Sequence, residues 1–130
     1  MGTTRRRPVT ISTTLATTTR DLRRAVRAAD PAKPPGLAQL CDAGWQLTQL
    51  TGELTDLVTL LAEHTGHHTQ RSEQLRRVDG APGTAHLASA CRELATLRRA
   101  LDTAHIAARD YYTEISQLNP AVPGSLRSSP

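Results

Sequence analysis

Leucine recurs every seventh residue through the middle of the chain, at Leu40, Leu47, Leu54 and Leu61, with His68 in the next slot and Leu75 resuming the series. The positions three before these are Leu37, Gly44, Thr51, Val58, Thr65 and Ser72. Residues three or four apart share one face of a helix, so the spacing predicts one long helix over residues 36–78 with a single apolar seam. A stripe of this kind needs a second helix to cover it.

Such a helix is predicted over residues 84–118. Leu87, Cys91, Leu94, Leu97, Leu101, Ala104, Ala108, Tyr111, Ile115 and Leu118 recur there at helical spacing. Between the two lies DGAPG at 79–83, where Gly80 suits a left-handed cap and Pro82 blocks continuation. Thr84 is a natural N-cap. A loop this short makes the helices antiparallel neighbours, with residue n opposite about 162 − n. Trp45 is then expected near Gln117, Leu54 near His105 and Ala108, and His68 near Leu94.

Upstream, Leu15, Leu22, Val26 and Ala29 form one stripe of a shorter helix over about 14–30. It is secure from Thr18 onward, because the threonines before it are poor helix formers. The segment DPAKPPG at 30–36 breaks it from the long helix, since Pro31, Pro34 and Pro35 cannot continue one. Residues 1–9 and 119–130 have no periodicity and read as a basic tail and a polar tail without fixed structure. Residues 10–118 read as a single helical domain. The fold class is all-α: a long antiparallel hairpin with a shorter N-terminal helix packed at its open end. A second leucine stripe, Leu50 and Leu57, marks that end as the thicker one. Thr65, His68 and Ser72 leave a two-helix arm at the other. A two-helix arm buries little, so self-association is expected, with Leu47, Leu54, Leu61, Leu94, Leu97 and Leu101 as its assembly seam.

Composition agrees with helix-on-helix packing. Apolar residues are 38% of the chain and mostly Leu and Ala, with no Phe, one Trp and two Tyr, whereas sheets favour β-branched and aromatic residues. Lys33 is the sole lysine among 16 cations. This arginine bias, with the Ala and Thr richness, points to a GC-rich, bacterial genome. Charge is uneven: residues 1–28 hold seven arginines against Asp21, for +6, while the remainder holds nine cations against eleven acids, for −2. A basic arm on a near-neutral body suits an anionic partner. Arg5, Arg6, Arg7, Arg20, Arg23, Arg24 and Arg27 are the anion-binding candidates, because a guanidinium can bond two phosphate oxygens at once. No zinc-finger spacing, helix-turn-helix pattern or row of aromatics gives that contact base specificity. A membrane-surface role for this segment is disfavoured by its threonines and its lack of bulky aromatics.

Chemistry finds little footing. His64, His67 and His68 form H-x-x-H-H, and His64 with His68 could hold two corners of a metal site, but no third or fourth ligand converges on them. No metal or other cofactor is expected. A pH-responsive role for the histidines is a weaker idea. Cys41 and Cys91 fit helix stripes as small buried hydrophobes, and a straight hairpin holds them ~45 Å apart, beyond any disulfide. No phosphate loop, nucleophile elbow or dinucleotide-binding glycine pattern occurs. Asp110 and Glu114 read as a solvated face. Two cysteines are too few for a disulfide framework, and no run of about eighteen apolar residues suits membrane insertion. Arg5–Arg7 precede no apolar core or cleavage site of an export signal. The expected location is cytoplasmic.

Small helical-hairpin secretion substrates of the WXG type resemble this chain in size and in having two long antiparallel helices. Their Trp-X-Gly motif occupies the turn, where this chain has DGAPG. Trp45 lies within a helix and is followed by Gln46 and Leu47. The defining residues are missing, and nothing of that family carries over. The sequence therefore reads as a non-enzymatic interaction protein that self-associates or binds a protein partner. The alternatives are a nucleic-acid-associated accessory protein acting through its arginines, and a metal- or pH-responsive module. No small-molecule substrate is evident.

Overall fold

The computed structural model describes residues 9–69 and 83–118. The described residues form three helices and no strand: α1, Ile11–Ala28; α2, Leu37–Thr69; and α3, Thr84–Leu118. The chain divides into two compact units, Met1–Pro34 and Pro35–Pro130, and each is described by itself. Four expectations lie outside the described residues: the basic tail through Pro8, the continuation of α2 over 70–78, the turn at 79–82 and the polar tail after Leu118.

In the first unit, α1 begins a turn earlier than its threonine content suggests. The reason is a capping box. Thr10, in extended conformation, accepts a hydrogen bond at its hydroxyl from the Thr13 amide at 3.0 Å. The Thr10 amide in turn donates to Thr13 Oγ1, also at 3.0 Å. Two otherwise unpaired donors of the first turn are satisfied this way. At the other end, Ala29 is already extended, and the Asp30 carboxylate accepts from the Ala32 amide at 2.9 Å. That is the turn chemistry expected of an Asp before proline. No residue of α1 is buried.

In the second unit, α2 and α3 pack together as a helical hairpin. α2 opens directly after Gly36, whose carbonyl accepts from the Leu40 amide. The core is a thin line. Its buried members are Gly44, Thr48, Thr51 and Val58 on α2 and Ala108 on α3. Val58, 4% exposed, is the most enclosed apolar side chain among the described residues.

The hairpin register differs from the one inferred from the turn. Trp45 stacks obliquely on Tyr112 at 5.5 Å between ring centroids. Thr51 Oγ1 lies 3.1 Å from His105 Nδ1. These pairs place residue n opposite about 156 − n, so α3 is shifted along α2 by ~9 Å, about six residues at 1.5 Å each. Trp45 accordingly meets Tyr112 rather than Gln117, and His105 meets Thr51 rather than Leu54.

The contact line also runs beside the leucines instead of through them. α2 turns the row Gly44, Thr51, Val58 and Thr65 toward α3, with Thr48, Thr55 and Ala62 next to it. Small residues let the axes come close. A Cβ on Gly44 would lie 3.1 Å from two ring carbons of Tyr111 and 3.3 Å from the Tyr112 Cα.

Candidate functional site

Threonine lines this seam without leaving a polar atom unpaired. Thr48, Thr55, Thr59 and Thr65 each donate their hydroxyl to the carbonyl four residues earlier, at 2.8–3.0 Å. Thr51 reaches the carbonyls of both Leu47 and Thr48 at 3.0 Å. A hydroxyl has one hydrogen. With that hydrogen on a carbonyl, Thr51 accepts from a proton on His105 Nδ1. Among the described residues, no buried side-chain nitrogen or oxygen lacks a partner. The hydroxyls therefore bury at low cost, because each keeps a hydrogen bond in place of water.

The contact line separates two unlike faces of the hairpin. On one side is a groove of about 600 Å³, bordered on α2 by Thr59, Ala62 and Glu63 and on α3 by Ala95, Arg98 and Asp102. Charged residues of both signs border it, and its lining is mostly apolar, with Val58, Cys91 and Leu94 among the lining residues. The row Leu47, Leu54 and Leu61 lies one helical step from the contact row in the opposite direction, so these leucines occupy the other face. Helix geometry puts Leu97, Ala104, Tyr111 and Leu118 on that same face from α3. Leu47 is 47% exposed and Leu97 46%; Tyr111 and Leu118 are also exposed, while Leu54 and Leu61 are half-buried.

The six residues of the expected assembly seam thus divide. Leu94 and Leu101 are half-buried along the contact line of α3. Leu47, Leu54, Leu61 and Leu97 form an open leucine face beside it. Hydropathy alone finds the leucines but not the contact row, because it scores a carbonyl-bonded threonine like a solvated one.

α1 carries the described part of the anion-binding set. Arg20, Arg23, Arg24 and Arg27 follow i, i+3, i+4, i+7 spacing and, with Ala28, line one shallow concavity of about 480 Å³. The apolar positions Ile11, Leu15, Leu22 and Val26 lie on the opposite side of the helix, where Leu22 is 51% and Val26 74% exposed. Arg5, Arg6 and Arg7 lie outside the described residues.

The histidine expectation is placed as follows. His64 and His68 are both exposed. The rings of His67 and His68 lie edge to face at 6.2 Å. Among the described residues, no group of three or more His, Cys, Asp or Glu side chains is placed to hold a metal ion. Cys41 and Cys91 are free thiols. Cys41 sits beside Trp45 and Tyr112, and Cys91 in the groove between α2 and α3. Among the described residues, no helix is long and apolar enough to cross a membrane. No protein-family model, curated protein or solved structure matches the chain.

Proposed function

We propose that this chain is a non-enzymatic helical interaction protein that works through the leucine face of the hairpin, by self-association or by receiving a protein partner. One observation carries the reading. α2 and α3 use a row of small and hydroxyl side chains to hold each other, and their leucines are left beside that row, open to water at Leu47 and Leu97. An isolated exposed leucine is ordinary, but a row contributed by two helices is the kind of surface that binds another surface. The rows recur every seventh residue, which suits knobs-into-holes packing against further helices.

The test is light scattering of the full chain over a hundredfold concentration range, beside a variant with Leu47→Ser and Leu97→Ser. Association in the parent that is lost in the variant, with helicity unchanged, supports a self-association surface. If the parent stays monomeric, self-association is removed and a different protein is left as the partner. If the variant associates like the parent, the leucine face is not the surface used.

A further inference from the structure

We propose that Arg20, Arg23, Arg24 and Arg27 form a docking surface for the phosphate backbone of a nucleic acid, bound without base specificity. Charge in this protein is sorted by helix. α1 carries four arginines and one acid, for +3. α2 has four acids and no Lys or Arg, for −4. α3 balances four arginines with four acids. On α3 the arginines are spread and variously engaged: Arg109 lies 3.8 Å from the Asp110 carboxylate, Arg92 donates to Ser89 Oγ and Arg99 to Thr96 Oγ1. None of the four arginines of α1 lies within ion-pair distance of a carboxylate among the described residues, and together they line one concavity.

The arrangement on the helix decides between anionic partners. The arginines are centred opposite the apolar positions Ile11, Leu15, Leu22 and Val26. A bilayer would take up the apolar side and hold the guanidinium groups on the water side. A polyanion would use the arginine side and leave the apolar side free to be covered by protein. From Arg20 to Arg27 the helix rises ~10 Å, comparable to the width of a DNA major groove, so the row can reach phosphates along a groove edge. The same face has no Asn, Gln or aromatic side chain to read an adenine edge or stack a base, which leaves phosphate as the target common to all four guanidinium groups.

The experiment is fluorescence anisotropy of the full chain with a labelled duplex DNA and a labelled single-stranded RNA, each of mixed sequence, between about 50 and 200 mM salt. Four phosphate contacts predict that duplex affinity falls on the order of 100-fold across that range. Replacing Arg20, Arg23, Arg24 and Arg27 with Gln keeps helix propensity and should make the log–log salt slope shallower by about 3.6, or ~0.9 per contact. A control replacing Arg92, Arg98, Arg99 and Arg109 with Gln removes the same charge from α3 and should leave the slope unchanged. Equal losses in both variants would mean net charge rather than a site, and would overturn the proposal. So would an α1 variant with the parental slope. A parent that ignores both nucleic acids but sediments with phosphatidylglycerol vesicles would overturn it in favour of a lipid surface.

Discussion

Replacing glycine by alanine at three places in α2 separates helix propensity from the space between helices. Gly44, Gly52 and Gly66 all lie within the helix, and each change should contribute about 1 kcal/mol from propensity alone. What differs is what the new methyl meets. At Gly66 nothing lies within 4 Å, so the full gain is expected. At Gly52 the nearest atom is the His105 Cε1 at 3.5 Å, an ordinary contact that leaves the gain intact. At Gly44 the methyl would press on the Tyr111 ring at 3.1 Å and on backbone at 3.3 Å. The ring can turn but the backbone cannot, and crowding of this kind costs about 1–3 kcal/mol. Gly44→Ala should therefore range from neutral to destabilised by about 2 kcal/mol, while Gly66→Ala gains about 1 kcal/mol. Urea unfolding followed by circular dichroism at 222 nm measures the difference. If Gly44→Ala is stabilised as much as Gly66→Ala, the helices do not approach at Tyr111, and the register described above is wrong.

Three other outcomes follow from the same packing. Val58→Ala should destabilise the hairpin by about 1–2 kcal/mol on denaturant unfolding, since two methyl groups leave its most enclosed site; Leu47→Ala should cost less than half as much. Thr51→Val deprives His105 Nδ1 of its partner and should cost about 1 kcal/mol in the same assay. A double-mutant cycle with His105→Ala should then show coupling; additive losses would mean that the pair does not interact. Thr10→Ala removes the half of the α1 capping box that the Thr10 hydroxyl supplies and should weaken the first turn by about 1 kcal/mol, seen as faster amide exchange at Thr13 with the hairpin unaffected.

The all-α class and the break between α1 and α2 were legible because each rests on strong local signals: long periodic runs and the prolines at 31, 34 and 35. The contact row was legible only in part: Gly44, Thr51, Val58 and Thr65 stood out as companions of the leucines, but not as the row that makes the contact in their place. Leu47, Leu54 and Leu61 dominate any hydropathy pattern. The helices nevertheless meet along Gly44, Thr51 and Val58, because close approach rewards small size and the hydroxyls are satisfied within their own helix. The register was misplaced for a related reason. Pairing outward from DGAPG assumes a symmetric turn, whereas Trp45 against Tyr112 and Thr51 against His105 set the pairing by side-chain fit. The arginine face of α1 was readable as composition. Its position off the apolar stripe of Leu15, Leu22 and Val26 follows from helical spacing; what the sequence did not show is the start at Ile11, which rests on a Thr–Thr capping box in place of the usual Thr–Glu pair.

Trp45 is the chain's one tryptophan, and it stands against Tyr112 toward the N-terminal end of α2 with nearly half its surface in water. The hairpin thereby contains its own optical reporter, confined to one end. Its emission will follow fraying of that end and ignore events near Cys91, so a transition seen by fluorescence before the loss of helical ellipticity would time the order in which the two ends let go.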